Sequence, residues 1–151
     1  MMKSVLAVAL NPAVDFSGEA DAVQHTRKVR TKNDRFDPGG GGINVARVVS
    51  TFGGDAEALF LAGGEMGGLL ERLLEEKGVR YRALPIAGQT RVSFTVRERN
   101  TGHEYRFVPK GPAVRAEETQ ACLDVVASRK VDYLVASGSL PDGCPPDIYV
   151  H

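Results

Sequence analysis

The sequence predicts an α/β fold whose mainly parallel sheet is covered on both faces, and three observations predict it. Apolar runs of strand length recur along the chain, at residues 4–10, 59–62 and 131–138. The segments between them carry helical periodicity. The apolar runs hardly alternate with polar residues, the mark of strands buried on both faces rather than on one.

Taken in order, residues 4–10 (SVLAVAL) read as the first buried strand. Lys3 before that run resembles the start of an export signal, but the run ends in "NPAVD" with no small-residue cleavage site, so a strand is the better reading. Residues 27–36 (RKVRTKNDRF) alternate in a polar way and read as a half-exposed strand. Four glycines follow, and then a mostly apolar helix from Ile43 to Phe52. Leu59 to Ala62 belongs to a second buried strand, which completes a β-α-β unit. In "GGLLERLLEEKG", Leu69, Leu70, Leu73 and Leu74 share one face and Glu71, Glu75 and Glu76 lie largely on another, with Gly78 closing the helix after Lys77. Residues 91–108 read as half-exposed strands with a turn at Asn100–Gly102. A helix around 116–128 leads into "VDYLVASG", read as another buried strand. The two polar stretches suit a small sheet standing off the main domain; their pattern fits a lid and an ordinary surface hairpin equally well.

Composition narrows the class of function. Of 151 residues, 42% are hydrophobic and 25% charged, which is ordinary for a globular domain with a real core. Nineteen basic residues balance nineteen acidic ones, so no global charge draws the chain to nucleic acid or to an anionic membrane. No apolar segment approaches a membrane span. Cys122 and Cys144 fit neither a disulfide framework nor a zinc ribbon, and a reducing cytoplasm is the default expectation.

The glycines Gly39, Gly40, Gly41 and Gly42 demand an explanation, because each costs roughly 0.5–1 kcal/mol relative to alanine in regular structure. Four in a row imply that something comes close to that backbone. A glycine-rich turn opening a helix is commonly an anion or nucleotide site; a tight structural turn is the other reading. The dinucleotide-binding pattern fits poorly, since the glycines follow the polar strand and their spacing is not G-x-G-x-x-G. No lysine-serine pair of a phosphate-binding P-loop follows them.

"GGGGINVARVVSTFGG" continued by "AEALFLAGG" resembles the first signature of the PfkB family of sugar kinases, the ribokinase-like enzymes, with Asn44, Ala46, Gly53 and Gly63 at the family's spacing. "LNPAVD", Thr90–Arg91 and "SGSLP" at Ser137–Pro141 look most like its phosphosugar branch of minor-type 6-phosphofructokinases, 1-phosphofructokinases and tagatose-6-phosphate kinases. The quadruple glycine is most similar to the minor-type 6-phosphofructokinases. The resemblance covers about Leu6 to Tyr149. It implies a three-layer αβα sheet with a small β-sheet lid at about 13–37 and 89–109, and an enzyme that phosphorylates a sugar phosphate with ATP and Mg2+, fructose 6-phosphate first. 1-Phosphofructokinase and tagatose-6-phosphate kinase are alternatives.

Each residue's chemistry can be set beside that implication. Asp15 lies just past the first strand, where ligands of open α/β sheets bind; its carboxylate suits two sugar hydroxyls, and turn capping equally. The resemblance assigns it to sugar binding, with Gly39 to Gly42 lying against the sugar and Asn44 adding a polar contact. Arg91 can grip phosphate oxygens bidentately, and Ser139 offers a hydroxyl. Lys28 and Arg30, two apart on the expected strand 27–36, face the same way. Between Arg27 and Arg35 there are five bases and one acid, a pattern most often no more than a solvated face. The resemblance implies that the lid pairs two copies into a homodimer, so Lys28 and Arg30 serve their own site or a neighbour's. Arg106 is a further cation of the same kind.

The resembling kinases carry an N-x-x-E motif associated with magnesium and a G-A-G-D motif that supplies an anion hole and the catalytic base, both in a C-terminal half. Neither motif occurs in these 151 residues. The chain is therefore expected to hold the sugar-binding half, with no catalytic base and no metal ligand of its own and no turnover alone. A non-catalytic sugar-phosphate-binding or partner-binding fragment is the reading from a different class.

Overall fold

The computed structural model describes residues 3–150. Four parallel strands form the main sheet: β1 (Ser4–Ala9), β4 (Asp55–Ala62), β5 (Arg80–Pro85) and β8 (Tyr133–Ala136), in the order β5-β4-β1-β8. A second sheet, in the order β3-β2-β6-β7, is built from β2 (Ala13–Ala20), β3 (Lys32–Gly39), β6 (Arg91–Glu98) and β7 (Glu104–Phe107). Helices α1 (Gly41–Thr51), α2 (Gly64–Glu76) and α3 (Ala116–Ser128) complete the chain. Among the described residues no helix is long and apolar enough to cross a membrane.

The two-residue period of β1 and β4 explains why their runs are continuously apolar. Ala7, Ala9, Ala56, Ala58, Phe60 and Ala62 face one core with Ile43 and Ala46 of α1 and Leu70, Leu73 and Leu74 of α2. Leu6, Val8, Leu10, Leu59 and Leu61 face the other, against Cys122 and Val125 of α3. Burying both faces of each strand makes three layers, αβα. Alanines dominate the side of α1 and α2, and α1 lies close against β1 and β4.

The second sheet leaves the main one at the end of β1 and is tied back beside β6. Gly63 N–H donates to Thr90 Oγ1 at 3.0 Å, and Thr90 N–H donates to the Gly63 carbonyl at 2.9 Å, which fixes the residue just before Arg91 against the end of β4. β2 runs antiparallel to β3 and parallel to β6, while β6 and β7 form the antiparallel hairpin expected around Asn100–Gly102.

Three expectations need correcting. The polar strand begins at Lys32, not at residue 27, and runs on to Gly39. Its pairing with β2 ends at Glu19↔Lys32, so residues 27–31 have no strand partner. Helix α1 begins at Gly41, so the last two glycines form its first turn and Gly40 is its N-cap. β8 is not buried: it is the sheet's edge, and Tyr133 and Leu134 are 55% and 52% exposed. β2 and β5 carry no run strong enough to be read singly from the sequence.

Candidate functional site

Between the polar face of the second sheet and the start of α1 lies an open cavity of about 930 Å3. Strand periodicity builds its wall: Asp15 and Ser17 on β2, Ser93 and Thr95 on β6, and Arg35 and Arg106 on β3 and β7 all line it. Asp15 pairs in register with Ser93 and with Asp37, so residues from distant parts of the chain meet side by side. Gly40, Gly41 and Asn44 bring the first turn of α1 to the same space.

The four glycines are explained mostly by the protein's own atoms. A Cβ on Gly39 would lie 2.6 Å from Asp15 Oδ1, and one on Gly41 would lie 2.8 Å from the backbone carbon of Ser137. On Gly42 it would lie 2.5 Å from the carbonyl carbon of Val8. Gly40 has φ +121°, a conformation that side chains rarely adopt. The expectation of a ligand along all four is thus narrowed: Gly40 and Gly41 line the cavity, while Gly39 and Gly42 sit behind its wall. The Gly42 N–H is already engaged, donating to the Ser137 carbonyl at 3.0 Å.

Arg91, at the base of β6, is held at several points. Nη1 donates to the Pro109 carbonyl at 2.8 Å, and Nη2 to the Asn11 carbonyl at 2.8 Å and to Ser139 Oγ at 3.2 Å. Its Nε is enclosed and has no partner. Burial lowers the guanidinium's pKa and Asp15 counteracts this; an arginine remains charged at any working pH. Burial raises the Asp15 carboxyl above its ordinary value, and the Ser93 hydrogen bond and the charges of Arg106 and Arg91 oppose the rise, while Asp37 adds to it. Asp15 therefore offers the cavity a carboxylate suited to accepting hydrogen bonds from hydroxyls, with the cations Arg91 and Arg106 beside it suited to an anion.

Of the residues singled out from the sequence, Asp15, Gly40, Gly41, Asn44, Arg91 and Arg106 come together here, and Ser139 joins them through Arg91. Lys28 and Arg30 do not line the cavity. They sit on the exposed segment before β3, outside any strand, so a shared strand face is no longer an argument for them. The sequence reading missed Asn11, which lies 5% exposed beneath Arg91, and Ser93. Ser93 had a signal, the period of two counted from Arg91; Asn11 had only its place after a buried strand.

Residues 2–151 match the family described as pfkB family carbohydrate kinase. The chain is 48% identical over 147 residues to ATP-dependent 6-phosphofructokinase isozyme 2 of Mycobacterium tuberculosis, covering 96% of this chain and 43% of that protein. It is 31% identical to a tagatose-6-phosphate kinase of Staphylococcus epidermidis, covering 96% of this chain and 47% of that one. The structure of phosphofructokinase-2 from Escherichia coli in complex with fructose-6-phosphate superposes with a TM-score of 0.91 at 33% identity, over 99% of this chain and 49% of that one. The chain thus spans about half the length of the relatives it matches.

Proposed function

This chain belongs to the pfkB family of carbohydrate kinases, and from that premise we propose that it is the acceptor-binding half of an ATP-dependent sugar-phosphate kinase whose substrate is fructose 6-phosphate. The observation that carries the proposal is the convergence of Asp15, Arg91 and Arg106 on one cavity roofed by a small sheet. A carboxylate beside guanidinium groups matches a ligand that is hydroxylated at one end and anionic at the other. Fructose 6-phosphate is favoured over tagatose 6-phosphate by the higher identity to the 6-phosphofructokinase relative.

In this reading Asp15 accepts hydrogen bonds from sugar hydroxyls and Asn44 adds a polar contact from α1. Gly40 and Gly41 let the ring lie against the backbone. Arg91 and Ser139 hold the phosphate, with Arg106 as a further cation. Bound ATP supplies the phosphoryl group, and these residues orient the hydroxyl that receives it. Among the described residues no group of three or more His, Cys, Asp or Glu side chains could hold a metal ion.

The second sheet is read as the lid, comprising residues 13–39 and 91–107. Its face away from the cavity carries a row of phenylalanines in register, Phe36, Phe16, Phe94 and Phe107, running across all four strands. Phe36, Phe94 and Phe107 are 47%, 44% and 64% exposed. A face of that kind suits burial against its own copy in a homodimer. Pairing would also bring the exposed Lys28 and Arg30 toward a neighbour's site. Cytoplasmic residence fits an enzyme that uses ATP and a sugar phosphate.

Calorimetric titration of the chain with fructose 6-phosphate and with fructose tests the reading. Binding that requires the phosphate and that Arg91→Ala weakens about tenfold or more is the expected result. Equal response to the two sugars, or no response to either, overturns it.

A further inference from the structure

We propose that Asn11 is a positioning residue that turns the Ser139 hydroxyl into an obligate donor toward the phosphate of the substrate. The inference rests on the reading of the cavity as a sugar-phosphate site, and it concerns a residue that does not itself line that cavity.

Asn11 follows β1 and is 5% exposed. Its Nδ2 makes two hydrogen bonds, donating to the Lys110 carbonyl at 2.7 Å and to Ser139 Oγ at 3.2 Å. Both amide protons are thereby used. Its own carbonyl accepts from Arg91 Nη2, which also donates to Ser139 Oγ. One buried residue therefore joins the end of β1 to the segment leaving β7 and the loop after β8 through its side chain, and to the base of β6 through its backbone carbonyl.

The consequence for Ser139 follows from counting lone pairs. A serine hydroxyl has two acceptor positions and one proton. Here Asn11 and Arg91 both donate to Oγ, so both acceptor positions are occupied. The proton has no place in that arrangement except as a donor to a further group, and an anion beside Arg91 is the acceptor the site is built for. Asn11 thus sets the polarity of Ser139 as well as its position.

The packing around Asn11 supports a dedicated role. Gly111 has φ +96°, and a Cβ there would overlap Asn11 Oδ1. Oδ1 is enclosed without a partner, an expense of burial that a plain apolar residue at this position would avoid. The amide earns its place through Nδ2.

The test uses Asn11→Asp, which keeps the shape and replaces the donating group by an acceptor, with Asn11→Ala as the second variant should the first fail to fold. Amide hydrogen exchange on the unliganded chain reads segments 108–113 and 137–140, with α2 as the internal reference. Titration with fructose 6-phosphate and with inorganic phosphate reads the site in wild type, Asn11→Asp, Ser139→Ala and the double variant. The expected result is faster exchange in those two segments with α2 unchanged, and about tenfold weaker fructose 6-phosphate binding by Asn11→Asp. Adding Ser139→Ala should then cost nothing further, because Asn11 acts through Ser139. A purely shape-filling role predicts instead that the losses caused by Asn11→Asp and Ser139→Ala add in the double variant. Unchanged exchange, or losses that add in the double variant, overturn the proposal. If wild type binds neither ligand while exchange responds as expected, the sugar-phosphate reading falls and the positioning of the two segments by Asn11 stands.

Discussion

The Asp15 side chain leans diagonally across the β2–β3 pair over Gly39, so closely that a Cβ on Gly39 would lie 2.6 Å from Asp15 Oδ1. What gives way is a carboxylate on a rotatable side chain, and Gly39 has no positive φ to strain. Gly39→Ala is therefore expected to change stability by less than about 1 kcal/mol while swinging Asp15 out of line and weakening sugar-phosphate binding about tenfold. Gly42→Ala makes the contrast, because its Cβ meets the backbone of Val8, which cannot rotate away. A loss of about 3 kcal/mol or more is expected there. Urea denaturation of both variants, with titration of the first, checks the pair.

Arg91 should not be replaceable by lysine. Its guanidinium reaches Pro109, Asn11 and Ser139 at once, a fork that a single ammonium cannot reproduce. Both Arg91→Lys and Arg91→Ala are expected to lose about 1.5–3 kcal/mol of phosphate-dependent affinity. Near-wild-type titration of fructose 6-phosphate by Arg91→Lys would show that charge alone suffices.

Asp15 should cost the empty protein stability at neutral pH. Its pKa is raised, chiefly by burial, so as pH climbs past the unfolded value the native state retains a proton that the unfolded chain has lost. Stability contributed by this group falls as pH rises through that window and stays lower above it. Asp15→Asn is expected to melt about 2–4 °C higher at pH 7 without ligand, with the gap narrowing toward pH 4. Thermal melts at the two pH values decide; a gap that widens on acidification contradicts the sign.

The phenylalanine row is the fourth test. Phe94 packs its ring 5.8 Å from that of Phe16, and Phe16 lies 5.4 Å from Phe36. If a second copy covers this face, Phe94→Glu buries a charge at its centre and removes about 1.5–3 kcal/mol of apolar contact per copy. Light scattering should find a dimer for wild type and a monomer for the variant. Wild type that stays monomeric at high concentration rules the interface out.

Much of this protein was determined by the sequence alone. The two-residue and 3.6-residue periods are properties of the local backbone, so β1, β4, α2 and α3 could be read directly, and so could the placement of the glycines before α1. Asp15, Arg91 and Ser139 stand out because the motifs "LNPAVD", Thr90–Arg91 and "SGSLP" that carry or adjoin them resemble those of the phosphosugar branch, while local pattern alone leaves Asp15 equally suited to capping a turn. What only the tertiary structure decided is which of the far-separated pieces meet. The parallel register Ala13↔Arg91 sets Asp15 beside Ser93, and the antiparallel register Thr95↔Arg106 carries Arg106 into the cavity, whereas Lys28 and Arg30 lie on a segment with no partner strand. The exposure of β8 depends on its place at the edge of the sheet, and the role of Asn11 on bonds to residues 99 and 128 positions away. Such pairings arise when strands dock and bury their faces together, and no local period records them.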